Sequence, residues 1–352
     1  MNIRLAIIII NHNYGRFLAT AIRSALDQSL PADEVIVVDD GSTDDSREII
    51  ASFVPKITPV LKEPGGHVTA VNAGYAATSC DLCIFLDADD LLYPNCVETI
   101  LRKWQPGDAK AQYRLDTINA AGQDQNLTFP HFPKDLTPEA VREQSFRWGT
   151  YPWTVSSGNV FSRELLDQLL PIDPREIYRS PDGYISKMAP MFGNVRSFQD
   201  ILGAYRVHGA NAWAQGGGAL DMAPIIRWLK FDVVLQQKFQ QIAAQRGLTV
   251  AKPSEMKTLQ QMEYRLLAAR FAPAEFGSPC ETLGLLFRSG ISVARKAPNV
   301  SGVGRLVWMA WIFTLAFMPK FLVRKIFGIA RGQTGRGGIY RFLISLSRGS
   351  SN

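Results

Sequence analysis

Residues 4–10 of the chain, Arg4-Leu-Ala-Ile-Ile-Ile-Ile10, set six apolar side chains in a row with no polar alternation. A strand that shows neither face to water reads this way, and such strands belong to parallel sheets covered by helices on both sides. The pattern then repeats. Residues 16–28 carry Phe17, Ala21, Ile22, Ala25 and Leu26 at helical spacing, and Val35-Ile-Val-Val38 predicts a second strand. Ser42-Thr-Asp-Asp45 reads as a capping box opening the next helix. Residues 57–61 predict a weaker strand, the segment after Gly65-Gly66 a helix through Ala77, and Leu82-Cys-Ile-Phe-Leu86 a fourth strand. Repeated β-α-β units of this kind imply an α/β fold with a parallel sheet and helices on both faces. Farther on, residues 110–118, 155–162 and 198–207 read as strands, 163–170 as a helix, 123–152 as a long loop rich in aromatic residues and proline, and about 222–270 as helical.

In a parallel sheet, ligands bind at the carboxyl ends of the strands. That rule selects residues 11–14, 39–42 and 87–90, three polar clusters that form one site. Asp87-Ala-Asp89-Asp90 offers alternate carboxylates that can hold a hard divalent cation, Mg²⁺ or Mn²⁺, together with diphosphate oxygens. The plainer alternative is an acidic turn capping the helix after Pro94. An EF-hand loop beginning at Asp87 is excluded, because Leu91 stands where a ligand is wanted and Leu92 where glycine is needed. In Asp39-Asp40-Gly41-Ser42 a carboxylate is placed to accept hydrogen bonds from a nucleobase imide or a ribose hydroxyl, and Gly41 allows the tight turn. No G-x-G-x-x-G follows the first strand, which argues against a dinucleotide site. Cys80-Asp-Leu-Cys83 lacks the second pair that zinc would require and reads as buried packing.

Composition bears on where the chain works. With 46% hydrophobic and 20% charged residues it has the makings of a globular core. Four cysteines at irregular spacing suit a reducing compartment, and the opening residues lack the basic start of a signal peptide, so a cytoplasmic location is expected. The net charge of +6 is unevenly spread. After Glu281 there is no acidic residue, while eleven Lys and Arg follow, so residues 1–281 carry a net −5. Residues 306–318 are apolar apart from Thr314 and too short to span a bilayer; with Trp308, Trp311 and the flanking cations they suit a helix lying in a membrane interface. Residues 339–346 form a second candidate of the same kind. Nucleic acid is the least favoured partner, because the cations alternate with long apolar runs.

Taken in order and spacing, residues 7–14, residues 37–44, Gly65-Gly66 with Asn72-Ala-Gly74, and Phe85-Leu-Asp-Ala-Asp-Asp90 resemble family 2 glycosyltransferases of the GT-A fold. The likeness is strong over residues 3–104 and continuous to about 212. It implies a Rossmann-like mixed, mainly parallel sheet flanked by helices over residues 1–220. A helical extension (221–281) and a basic, membrane-associating tail (282–352) are expected to follow. It implies that Asp40, with Asp39 beside it, binds the nucleoside, and that Asp87 and Asp89 serve ribose, diphosphate and metal. Asn11 and Tyr14 at the first strand end join the nucleotide-binding candidates, and Asn72 falls in the stretch bordering the nucleotide. Asp182, in Ser180-Pro-Asp-Gly-Tyr184, falls where the family keeps its catalytic base, although Pro181 replaces the usual acidic neighbour. Arg206 is expected to pair with a phosphate and His208 to complete the metal site. Gln144-Ser-Phe-Arg-Trp148 spells a motif of processive synthases but precedes Asp182 instead of following it, so the match is accidental.

The implied reaction is inverting transfer from a nucleotide-diphosphate sugar, with a UDP-sugar expected, to a hydroxyl of a glycan or lipid-linked acceptor in polysaccharide, lipopolysaccharide or other glycoconjugate assembly. The location implied is peripheral, on the inner face of the cell membrane. The rival from another class is a sugar-nucleotide-binding or scaffold protein that has lost its base. A nucleotidyltransferase would be expected to carry a Gly-rich basic loop after the first strand, where Asn11-His-Asn-Tyr14 stands.

Overall fold

In the computed structural model the described residues are 3–209, 220–276, 281–298 and 300–331. Packing divides the chain into two units, Met1–Phe146 with Tyr151–Asn211 and Gln241–Thr249, and Arg147–Thr150 with Ala212–Gln240 and Val250–Asn352.

The first unit is organised by β1 (Leu5–Asn11), whose residues Leu5 to Ile9 have no exposed surface. Beside it run β2 (Glu34–Asp40), β3 (Thr58–Lys62) and β4 (Leu82–Asp87), all parallel, in the order β3-β2-β1-β4. The crossovers are α1 (Gly15–Leu26), α2 (Ser46–Phe53) and α3 (His67–Ala76). Phe17, Leu18, Ala21, Ile22 and Ala25 form the buried stripe of α1, as their spacing predicts. A Cβ on Gly74 would collide with the side chains of Ile8 and Val38, so glycine is what lets α3 lie close on the sheet. Register pairs Asn11 with Asp39 and Ile10 with Asp87, so the three polar clusters end side by side.

Beyond β4 the sheet becomes mixed. The elements are β5 (Leu91–Leu92), α4 (Cys96–Lys103), β6 (Asp108–Asn119), β7 (Asp124–Phe129), α5 (Pro138–Trp148), β8 (Asn159–Ser162), α6 (Arg163–Leu169), α7 (Pro181–Met188) and β9 (Asn194–Val207). β8 runs antiparallel to β4 and β6, and β9 lies parallel to β6 and antiparallel to β5, completing a nine-stranded sheet. Because Leu91 pairs with Ala204, the end of β9 returns to the acidic cluster after β4.

Three local expectations need correction. Residues 123–152 are not a plain loop: they contain β7 and α5, and α5 has only Val141 and Ser145 buried, too sparse a stripe to show as periodicity. The capping box at 42–45 does not form; α2 begins at Ser46, and the Ser42 hydroxyl instead accepts from Asn13 N (2.9 Å) and Asn11 Nδ2 (3.1 Å). The first part of the strand expected at 155–162 is a 3₁₀ turn, Ser156–Gly158.

The second unit is helical. It draws on α8 (Met222–Gln245), α9 (Leu259–Phe271), α10 (Pro273–Phe276), α11 (Leu283–Lys296), α12 (Gly302–Phe317) and α13 (Lys320–Arg331). The expected helical stretch of 222–270 is interrupted between α8 and α9, where Gly247 takes φ +64° and Pro253 follows. A capping box does open α9: Thr258 Oγ1 accepts from Gln261 N (3.1 Å) and Gln261 Oε1 from Thr258 N (2.7 Å). One core joins Ile225, Met262, Leu266, Leu286, Ile312, Leu315 and Phe327, so residues expected in two separate segments, before and after 281, pack together. Arg270 donates to the carbonyls of Leu315 (2.5 Å) and Met318 (2.7 Å), satisfying acceptors at the end of α12. Among the described residues no helix is long and apolar enough to cross a membrane. The expected apolar segment at 339–346 lies outside the described residues.

Candidate functional site

The floor of the site is a lattice between the ends of β1 and β2. Asn11 Nδ2 donates to Asp39 Oδ1 (3.0 Å), and Asp39 Oδ2 accepts from Ser42 N (3.1 Å) and Arg47 Nε (3.0 Å). His12 Nδ1 lies 2.8 Å from the carbonyl of Asp40, and Asn13 Oδ1 accepts from Thr43 N at 2.8 Å. Burial opposes ionisation of Asp39, but the hydrogen bonds from Ser42, Arg47 and Asn11 bring its pKa below the usual carboxylate value. Asn11 and Asp39 are completely buried, tied to each other within this lattice.

Asp40 faces the other way, toward β3 and the start of α3. Its Oδ1 accepts from the Lys62 ammonium and from Gly65 N (2.9 Å), and its Oδ2 from Gly66 N (2.7 Å). Gly66 holds φ +85°, a conformation natural to glycine, which aims two successive amides at one carboxylate. Lys62 carries no motif; its sign is a lone cation at a strand end two residues before a Pro-Gly-Gly turn.

At the end of β4 three carboxylates crowd together. Asp90 is buried, accepting from Ser157 Oγ (2.6 Å) and Arg206 N (2.8 Å). Burial first, then repulsion from Asp89, holds Asp90 well above the ordinary carboxylate pKa. Burial and repulsion from Asp89, Asp90 and Asp182 do the same to Asp87. Asp89 Oδ2 lies 2.8 Å from His208 Nε2. The His208 ring is wedged between Tyr14 and Phe17, with centroids at 5.4 and 5.1 Å. Burial, reinforced by Asp89 and Asp87, raises the Tyr14 pKa. Arg206 is buried, its Nε donating to the Asp89 carbonyl (2.7 Å) and its guanidinium lying 4.7 Å from the Phe17 ring centre. In this way the Arg206 side chain braces the backbone that carries Asp89.

Two residues from α3 and α7 complete the enclosure. His67, the first residue of α3, has its Nε2 3.8 Å from Asp87 Oδ1, buried and without a hydrogen-bond partner. Burial lowers its pKa, although Asp182, Asp40 and Asp89 each push the other way. Asp182 occupies the first turn of α7, behind Pro181 at the first helical position, and accepts from Ser180 Oγ at 3.0 Å. Ser180 is held at φ +50°, a strained conformation for a side-chain-bearing residue. Asn72 is turned elsewhere: its Nδ2 donates to the Ile172 carbonyl (2.8 Å) and its Oδ1 accepts from Ile172 N (2.9 Å). The fold thus brings Tyr14, Asp87, Asp89 and His208 together, with Asp40, Asp89 and Asp182 around His67, while Asn11, Asp39, Asn72 and Arg206 hydrogen-bond to neighbouring backbone or side chains. Lys62 and Ser157 are neighbours of this cluster that the sequence does not single out, and His67 is one that it leaves without a role.

The donor set suits a hard cation, and one bound there would relieve the repulsion that raises Asp87 and Asp90. Among the described residues no three His, Cys, Asp or Glu side chains are already drawn together as a metal cage. The close pair is Asp89 with His208. A cation held by one or two protein ligands and completed by diphosphate oxygens fits the residues present.

This mixed sheet, parallel at its centre and acidic at the ends of β2 and β4, is the GT-A fold. The chain is similar to glycosyltransferase family 2, whose family model matches residues 6–170. An uncharacterized glycosyltransferase of Nostoc sp. is 35% identical over 216 residues, which are 59% of this chain and 66% of that protein. The glycosyltransferase GlyG of Streptococcus pneumoniae is 30% identical over 109 residues, 30% of this chain and 36% of GlyG. The chain thus spans less than two thirds of the length of these relatives. Among solved structures, TarS residues 1–349 of S. aureus in complex with UDP-GlcNAc has a TM-score of 0.52 at 13% identity, covering 97% of this chain and 92% of that 1–349 fragment, a likeness of fold.

Proposed function

We propose that the chain is an inverting glycosyltransferase that moves a sugar from a nucleotide diphosphate, a UDP-sugar in the favoured reading, to an acceptor hydroxyl. The observation that carries this is the gathering around His67 of Asp40, Asp89 and Asp182, from three separate parts of the sequence, with Asp87 Oδ1 3.8 Å from the His67 ring. Asp182 takes the proton of the acceptor hydroxyl as that oxygen attacks the anomeric carbon, on the side opposite the departing nucleoside diphosphate. Asp40 and the loop it clamps seat the nucleoside, with Tyr14 beside it. A Mg²⁺ or Mn²⁺ ion, held by Asp89 with His208 and approached by Asp87, would supply positive charge to the leaving diphosphate. The UDP-GlcNAc seen in TarS supports a uridine donor. Glycan or lipid-linked acceptors in envelope polysaccharide assembly are the proposed partners, and peripheral attachment to the inner membrane face would bring the site to them.

Loss of an acidic residue at position 181 does not by itself argue for a non-catalytic protein. Proline is well suited to the first helical position, where its missing N–H has no partner to lose. Asp182→Asn decides between an enzyme and a binding protein. In the enzyme it lowers kcat by about 10²–10⁴ while nucleotide affinity stays within a few fold. Transfer at the native rate by this variant would remove Asp182 as the base.

A further inference from the structure

α12 is apolar on two faces. Gly304, Ile312, Leu315 and Ala316 are buried on one, where Gly290 lets α11 approach Ile312 closely. On the opposite face Val303, Leu306, Ala310, Phe313 and Phe317 recur at intervals of three and four residues, a straight stripe along the helix. That stripe is open to solvent: Leu306 is 63% exposed, Phe313 52% and Phe317 56%, and Phe321 at the start of α13 reaches 68%. Phe287 of α11 joins Phe317 and Phe313 with ring centroids at 4.8 and 6.4 Å, widening the stripe into an aromatic patch. So many exposed large apolar side chains in three consecutive helices mark a covered surface.

The charge around the patch says what covers it. Arg288, Arg295, Lys296, Arg305, Lys320, Arg324 and Lys325 are all exposed on α11–α13, and no acidic residue follows Glu281 in the chain. A protein partner that buried these phenylalanines would have to supply anions around the whole rim, whereas an anionic lipid surface supplies them everywhere. At sixteen residues α12 is about 24 Å long, short of the roughly 30 Å of a hydrocarbon core, so the geometry is that of a helix lying flat.

We propose that the α12 stripe with Phe321 is the surface on which this chain rests on an anionic bilayer, phenylalanines in the acyl boundary and cations among the headgroups. This rests on the membrane attachment proposed above and adds the residues that make it. The test is co-sedimentation of the full chain with vesicles of phosphatidylcholine alone and of phosphatidylcholine mixed with phosphatidylglycerol. Wild type is expected to bind the mixed vesicles, to bind less as salt rises, and to bind phosphatidylcholine poorly. Phe313→Gln with Phe317→Gln is expected to lower partitioning at least about tenfold. Leu306→Gln provides a second, milder variant, and thermal unfolding checks that each is folded. Mixed-vesicle binding that survives in both variants overturns the stripe while leaving membrane attachment standing. Failure of wild type to bind any vesicle overturns attachment as well. Self-association of wild type that the phenylalanine variants abolish, with no vesicle binding, assigns the stripe to a second copy of the chain and overturns the proposal.

Discussion

His208 Nε2 lies 2.8 Å from Asp89 Oδ2, although 119 residues separate them. The pairing of β5 with β9 makes the meeting possible, and the rings of Tyr14 and Phe17 fix the imidazole in place. An imidazole nitrogen and a carboxylate oxygen at that distance can share one proton or one cation. Titration with Mn²⁺ in the presence of a nucleoside diphosphate, followed by electron paramagnetic resonance, tells these apart. His208→Gln and Asp89→Asn are each expected to weaken Mn²⁺ binding by at least the roughly tenfold that even loss of an outer-sphere partner causes. An unchanged Mn²⁺ affinity in His208→Gln would leave the contact a structural hydrogen bond.

Asp40 gathers three donors, and an asparagine in its place would turn an amide N–H toward one of them. The Gly66 N–H would lose its acceptor, at a cost of about 1–3 kcal/mol for a buried unpaired group. Asp40→Asn is therefore expected to lower Tm by several degrees and nucleoside diphosphate affinity at least about tenfold together, because the same loop seats the ligand. Calorimetric titration read beside thermal unfolding checks this. A full loss of stability with native affinity would detach the loop from nucleotide binding.

Asn72 gives the opposite pattern. Its amide replaces, for Ile172, the two hydrogen bonds a neighbouring strand would make. Asn72→Ala is expected to cost about 1–3 kcal/mol in urea unfolding, with nucleotide affinity changed less than about threefold. A large loss of affinity at unchanged stability would restore the direct contact that the family resemblance implies.

These two asparagine and aspartate positions show what the sequence could and could not tell. The strand ends were legible because burial on both faces leaves an unmistakable apolar run, as in β1, and because a parallel sheet must then put its polar ends together. Asp40, Asp87 and Asp89 followed from that rule. Which members of a polar cluster face the cleft was not legible: Asn11 and Asp39 look no different in sequence from Asp40, yet register turns them into the floor. The partners of Arg206 are not legible for a similar reason, since a guanidinium next to an acidic site satisfies backbone carbonyls as readily as phosphate. Lys62 is not legible, and His67 carries no legible role, because single residues at strand and helix ends leave no periodic trace. α5 was hidden by its thin buried stripe.

Lys110 provides a test of the electrostatics beneath the site. It lies on β6 with no exposed surface, its Nζ donating to Gln112 Oε1 (3.0 Å) and Tyr151 Oη (3.3 Å), while Tyr151 donates to the Ser186 carbonyl of α7 (2.6 Å). Burial holds its pKa well below the ordinary lysine value, with Asp182 opposing that shift only in part. The folded state therefore sheds this proton first. Between the folded pKa and the unfolded value near about 10.4, the unfolded chain binds more protons, so stability contributed at this position rises with pH and is lost as pH falls. Asp87 and Asp90, whose folded pKa values are raised, contribute with the opposite sign, and the buried Cys83 and Cys96 thiols, pushed up to about 12, do so at higher pH. Comparison with Lys110→Met over about pH 8 to 10, just below the unfolded value, cancels those groups. Urea unfolding is expected to show the wild type gaining on the variant by up to about 1.4 kcal/mol per pH unit in that window. A difference that stays flat would mean that Lys110 keeps its charge inside the fold.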